Sequence, residues 1–329
     1  MAVETYRNPA TNEVTRVYDT ALTHRKHIVL PEGPAVFRDH MEAEHNGAPI
    51  QKAFLYLPDT QETPQASIVP FVGMGGVMTV GGDYAKTAIA MAQEGHMYVT
   101  HNPLRNLSVM KQLFDSETRN QPFRFTADVG QKVILATLLH LYRDLDIDTN
   151  EVDLTCHSYG GMTGSKLASF DPHVRSVILQ DVAGIIEGSL KAHIKGIRGI
   201  ASEAYDTFRY IKDSIDEVTP DLFTDHKNHV LDNPLLAGRE FHALLTDPDL
   251  SEDIYTAREN GVKVAGVLFA QSAFFALDSV QKFALQKNIF DESVVVDDAR
   301  HVEANVNPRG NALLQIELVK RLHTLQQAA

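Results

Sequence analysis

The chain has 329 residues, 43% hydrophobic and 22% charged, enough to bury a sizeable core in one large or two smaller domains. Acidic residues outnumber basic ones by 43 to 30, for a net charge of −13, which argues against nucleic acid or an anionic membrane as the main partner. A single cysteine excludes an intrachain disulfide framework and any Cys-rich zinc or iron–sulfur site.

Residues 1–45 are polar and His-rich, with Pro31, Gly33 and Pro34 breaking any long element, and stand as an N-terminal extension. Met1 to Pro9 contain no apolar leader, and no stretch approaches ~18 uninterrupted apolar residues. The expectation is therefore a soluble, cytoplasmic protein. Asn46-Gly47 is a hairpin signal before the apolar run Lys52–Leu57. Ala66–Val72 reads as a buried strand running into Gly73-Met74-Gly75-Gly76.

From there strand and helix patterns alternate. Asp83–Glu94 has helical spacing stopped by Gly95, and His96–Thr100 is a short strand. Ala127–Asp144 is a long amphipathic helix with Val129, Val133, Ile134, Leu138, Leu139 and Leu141 near one face. Val152–Cys156, Val174–Gln180, Val262–Phe269 and Ser293–Val296 are strands, Gly160–Ser169 is a helix, and Asn311–Gln326 closes the chain as a helix. This alternation predicts a mostly parallel central sheet with helices on both faces. Residues 183–259 contain no convincing strand and interrupt the pattern as an inserted helical lid. The core is then 46–182 with 260–329.

The run Val152-Asp-Leu-Thr-Cys-His-Ser-Tyr-Gly-Gly-Met162 carries the chemistry. A strand ends, Ser158 sits on a tight turn, and a helix opens with two glycines. Such a turn projects a hydroxyl above the sheet, small flanking residues let the backbones approach, and the helix N-terminus offers positive potential beside it. This motif resembles the nucleophile elbow of the α/β-hydrolase superfamily in its His-Ser-x-Gly-Gly form, with Cys156 where the family usually has glycine.

The resemblance implies further residues. The Gly73–Gly76 loop stands where the family places one oxyanion donor, so the backbone N–H groups of Met74 and Tyr159 are the expected oxyanion hole. A dinucleotide fingerprint does not fit the loop, since Met78 occupies the third glycine position, and no Gly-Lys-Ser/Thr follows for a P-loop. His301, between the last strand and the last helix, is the expected base, and His157 is expected to pack or hydrogen-bond behind the site. The family's usual acid position, just past Phe269, holds Ser272 or Ala273, which cannot ionise. Asp181, at the end of the preceding strand, is the favoured acid, and Asp278 is the alternative.

Phe274 and Phe275, with Phe208, Tyr210, Leu222 and Phe223 of the insertion, are candidates for an apolar acyl pocket. Tyr84 and Asn102 lie near strand ends with nothing to single them out. Neither His24 with His27 nor His40 with His45 has recognised metal-ligand spacing, so no metal and no cofactor is expected. The resemblance implies a serine hydrolase acting on a small-molecule ester or related acyl bond, with room for a homo-oligomer. An acyltransferase on the same fold and a catalytically silent binding protein are the alternatives.

Overall fold

Strands buried on both faces, rich in valine, isoleucine and leucine, form the centre of the molecule. The structure, a computed structural model, describes residues 3–7, 14–18, 24–28, 36–41, 44–45, 48–49, 53–58, 67–71, 85–100, 107–147, 149–182, 234–246, 250–272, 284, 288–301 and 307–328. The amino-terminal part supplies β1 (Val3–Arg7), β2 (Val14–Tyr18), β3 (His24–Ile28) and β4 (Val36–Met41), joined antiparallel in sequence order. Pro31, Gly33 and Pro34 fall between β3 and β4, so these breakers separate strands rather than prevent them. A two-residue step at Asn46-Gly47 links β5 (Glu44–His45) and β6 (Ala48–Pro49), at the tip of the longer pairing between β4 and β7 (Ala53–Pro58).

The remaining elements follow the expected alternation. They are β8 (Ser67–Phe71), α1 (Ala85–Gln93), β9 (Met97–Thr100), α2 (Leu107–Asp115), α3 (Pro122–Leu145), β10 (Val152–His157), α4 (Gly160–Ala168) and β11 (Val174–Gln180). Residues 183–259 carry α5 (Pro234–Thr246) and α6 (Ser251–Glu259), and after them come β12 (Lys263–Phe269), β13 (Glu292–Val296) and α7 (Pro308–Gln327). Among the described residues the sheet has eleven strands in the order β1-β2-β3-β4-β7-β9-β8-β10-β11-β12-β13, and the run from β9 to β13 is parallel throughout. Among the described residues no helix is long and apolar enough to cross a membrane.

Side chains alternate between two helical layers, as the period of a strand demands. Leu154 and Cys156 of β10, with Val177 and Leu179 of β11, join one apolar cluster with residues of α3, α4 and α6. Ile178 of β11 and Ala265, Val267 and Phe269 of β12 join the other, with residues of α1 and α7. In α3 the apolar stripe is narrower than its sequence suggests: Val129, Val133, Ile134, Leu138 and Leu141 are buried, but Leu139 is 56% exposed. Leu139 shares its outer face with Tyr142 and Arg143, three and four residues on.

Two features of this topology position a site. The chain leaves β8 for β9 on one side and returns to β10 on the other, so the carboxyl ends of β8 and β10 flank a switch point, where open α/β sheets bind ligands. Helix α7 also spans the sheet from end to end. Asn311 and Gln315, in its first half, bond to Gln180 at the carboxyl end of β11, whereas His323 reaches Asp153 near the amino end of β10.

At that amino end a buried polar cluster has nothing to do with Ser158. Asp153 accepts hydrogen bonds from Ser176 Oγ at 2.6 Å, Arg175 Nη2 at 2.8 Å and His323 Nε2 at 2.9 Å. Burial alone would raise this carboxyl; the His323 and Arg175 hydrogen bonds outweigh it and hold Asp153 below its usual range. Nearby, His96 is 1% exposed, and neither ring nitrogen has a hydrogen-bond partner among the described residues. Burial, then the positive charge of Lys320, lowers its pKa from 6.5 to about 4.

A histidine held neutral in the folded state takes up its proton only on unfolding. Stability is then complete above pH 6.5 and falls as pH drops towards about 4. Each tenfold difference in proton affinity between the folded and unfolded chain is worth ~1.4 kcal/mol, so the full loss is about 3 kcal/mol. Urea unfolding at pH 7.5 and 4.5 should show a smaller loss for His96→Leu than for the wild type; equal losses would show that His96 does not contribute.

Candidate active site

Strand β10 is buried along its whole length and ends at His157, so Ser158 is the first residue to leave the sheet. Its φ is +54°, the left-handed region that a non-glycine residue enters only when its surroundings hold it there. Three backbone hydrogen bonds do so. Ser158 N–H donates to Gln180 O at 3.1 Å, Gly161 N–H to Ser158 O at 3.1 Å, and Met162 N–H to Tyr159 O at 3.1 Å. The strand therefore passes into α4 through one sharp turn that carries the hydroxyl.

Gly161 makes the turn possible. A Cβ there would lie 2.4 Å from Val182 Cβ, so only glycine lets α4 pack against the end of β11. Cys156, two residues before Ser158, is fully buried in the apolar layer under the turn. Burial pushes its thiol pKa up, which leaves a small inert packing group rather than a competing nucleophile.

The other two polar side chains come from neighbouring strand ends. Asp181 follows β11 directly and is itself left-handed, at φ +41°, a conformation aspartate tolerates better than most residues. Its N–H donates to Val267 O at 2.8 Å, which ties the turn to β12. His301 lies in the loop between β13 and α7. Its Nδ1 is 2.6 Å from Asp181 Oδ2 and its Nε2 is 2.9 Å from Ser158 Oγ. All three side chains are buried.

The chemistry of the partners assigns the protons. A carboxylate only accepts, so Nδ1 carries the hydrogen, Nε2 presents its lone pair, and the Ser158 hydroxyl donates to it. The result is a directed chain from Ser158 through His301 to Asp181.

Several surrounding groups hold this chain in place. Ser272 Oγ donates to Asp181 Oδ2 at 2.6 Å. His157 Nε2 donates to the backbone carbonyl of His301 at 2.7 Å, and the two imidazole rings lie 4.9 Å apart. His157 thus braces the histidine loop from behind, as its sequence position suggests. Beneath Asp181, Gln180 Nε2 donates to Asn311 Oδ1 at 2.6 Å, and Gln315 Nε2 donates to Gln180 Oε1 at 3.2 Å. That buried amide network was not anticipated. Its signal is Asn311 and Gln315, one helical turn apart on the face of α7 that meets the sheet.

Tyr159 sits at the N-terminus of α4, where the first N–H groups have no intrahelical partner and positive potential collects. Its ring packs on Phe123 of α3 with centroids 4.8 Å apart. Burial, and then the carboxylate of buried Glu240 on α5, raise the phenol pKa well above its usual range. The Tyr159 side chain is therefore not a titrating group at neutral pH.

Met74, Asp278, Tyr84, Asn102, Phe274 and Phe275 lie outside the described residues, as do Phe208, Tyr210, Leu222 and Phe223 of the insertion. Among the described residues no group of three or more His, Cys, Asp or Glu is arranged to hold a metal ion.

No protein-family model and no curated protein matches the chain. Solved structures do. A candidate lipase from Acinetobacter baumannii superposes with a TM-score of 0.58 at 11% identity, over 92% of each chain. E-2-(Acetamidomethylene)succinate hydrolase gives 0.54 at 15% identity, over 85% of this chain and 98% of that one. This is the α/β-hydrolase fold. An epoxide hydrolase from Vigna radiata shares it, with a TM-score of 0.50 at 14% identity over 86% of this chain and 98% of that one. These neighbours are named for cleaving different bonds, so the α/β-hydrolase fold alone does not choose a reaction, and the residues at the strand ends must.

Proposed function

We propose that the protein is a serine hydrolase that cleaves a carboxylic ester or related acyl bond of a small molecule through an acyl-enzyme intermediate. The observation that supports this most is the hydrogen-bond chain from Ser158 through His301 to Asp181, at 2.9 and 2.6 Å, above the carboxyl edge of the sheet. Ser158 Oγ attacks the substrate carbonyl as His301 Nε2 takes its proton, and buried Asp181 stabilises the imidazolium that results. His301 returns the proton to the leaving group. A water then gives a proton to the same nitrogen and attacks the acyl-enzyme, and His301 passes that proton to Ser158 Oγ as the acid is released.

Tyr159 N–H, at the helix terminus, is one oxyanion donor in this proposal, and Met74 N–H is assigned as the second from its place in the sequence. A serine at the elbow, rather than an aspartate, disfavours the alkyl-enzyme route of epoxide hydrolases and haloalkane dehalogenases. Residues 183–259 are proposed as the lid. Helix α5 within that segment packs on α3 and brings Glu240 to Tyr159, next to the nucleophile.

A fluorophosphonate probe tests the proposal, because it reacts with an activated serine and not with an ordinary hydroxyl. Folded protein should gain one adduct, on Ser158, that Ser158→Ala lacks. No adduct on folded wild type would overturn the hydrolase reading in favour of a silent binding protein. Turnover that needs an added alcohol in place of water would instead indicate acyl transfer.

A further inference from the structure

We propose that Ser272 is a positioning residue of the active site, and that its hydroxyl sets the orientation in which the Asp181 carboxylate meets His301. This proposal rests on the serine-hydrolase reading and deepens it. Ser272 Oγ and His301 Nδ1 each lie 2.6 Å from the same oxygen, Asp181 Oδ2. A carboxylate can only accept, so both are donors, and they converge on one atom from two different loops. The terminal torsion of an aspartate is broad and gives the group little orientation of its own. The second donor therefore decides which oxygen faces the imidazole and at what angle.

The loop that carries Ser272 is built to hold this contact. It leaves β12, the parallel neighbour of β11, so the ends of two adjacent strands present Asp181 and Ser272 side by side. Ala270 N–H donates to Val296 O at 3.1 Å, Gln271 N–H to Ala299 O at 3.0 Å, and Ser272 N–H to Phe269 O at 3.2 Å. The first two bonds attach this loop to β13 and to the segment leading into His301. The backbone that places the hydroxyl thus also places the imidazole. Ser272 is 9% exposed, so water does not readily replace its hydroxyl.

The same geometry makes the two strand ends exchangeable. An aspartate is one atom longer than a serine. A carboxylate at position 272 would therefore reach towards His301 Nδ1, while a serine at 181 would take over the donor role.

Steady-state hydrolysis of p-nitrophenyl butyrate and the rate of fluorophosphonate labelling test this on the whole protein. Ser272→Ala should lower kcat about three- to tenfold with KM nearly unchanged, and should slow labelling by a similar factor. Ser272→Thr, which keeps the hydroxyl, should stay within about twofold of wild type. The exchange Asp181→Ser with Ser272→Asp should recover at least about tenfold over Asp181→Ser alone. Wild-type kcat and labelling in Ser272→Ala, or a Ser272→Thr variant no better than Ser272→Ala, would overturn the proposal while leaving Ser158-dependent hydrolysis intact. A wild type that neither turns over the ester nor labels at Ser158 would instead overturn the hydrolase reading, and this proposal with it.

Discussion

Ser158→Ala and His301→Ala should each lower kcat for p-nitrophenyl butyrate by about 10⁵–10⁶-fold, and the double variant should be no worse than either. The non-additivity carries the information. Ser158 Oγ donates to His301 Nε2 at 2.9 Å, and in the proposed mechanism the hydroxyl is a useful nucleophile only while the imidazole takes its proton. Remove either partner and the other loses its function. What remains comes from groups that neither substitution touches, chiefly the N–H donors at the start of α4.

Both variants shorten a side chain at the edge of the sheet and leave the backbone bonds of the turn available, so loss of fold is not the expected cause of inactivity. Independent costs that multiply in the double variant would show that Ser158 and His301 do not act as a unit. Retention of more than about a tenth of activity in Ser158→Ala would remove it as nucleophile.

How far such a unit could be anticipated depended on the range of the interactions that build it. The turn at Ser158 is local. A strand, a serine and a helix opening with Gly160-Gly161 lie within eleven residues, and the predicted strand Val174–Gln180 has the same bounds as β11. The amphipathic helix ending the chain was visible from its spacing, although Pro308 at its first turn and the Asn307 cap begin it earlier.

Long-range pairing was not visible. Strands β1 to β3 are short and polar, and only their cross-strand partners make them strands, so a polar His-rich stretch gave no warning of them. Helix α2 is equally hard to read, although Leu107, Met110 and Leu113 recur every three residues. Its nine residues are too few for periodicity to stand out against a loop.

The acid shows the same limit most sharply. Asp181 and Asp278 both carry carboxylates; the family resemblance favours Asp181, but local sequence does not show which one meets the histidine, because that turns on how β11, β12 and β13 are aligned. The bond from Asp181 N–H to Val267 O and the pairing of Phe269 with Val296 set that alignment. Ser272 was legible only as a residue that cannot ionise. Its bond to Asp181 follows from the same alignment, which no short motif encodes.

The acid assignment leads to the second large effect. Asp181→Asn should lower kcat by about 10³- to 10⁴-fold at neutral pH, whereas Asp278→Asn should stay within about twofold of wild type. Asparagine keeps the shape of aspartate, and its carbonyl oxygen can still accept from Ser272 and from His301 Nδ1, so the fold and much of the orientation survive. The charge does not survive. In a buried site, where water screens little, the imidazolium formed as Ser158 attacks would then face a neutral amide instead of a carboxylate. An amide that turns its nitrogen towards Nδ1 would do further harm, because it would drive the proton onto Nε2 and leave Ser158 without a base. The loss should appear in kcat more than in KM, since the charge is needed only once the proton has moved. Near-full turnover in Asp181→Asn together with loss in Asp278→Asn would reverse the assignment and leave Asp181 as a residue that supports the turn.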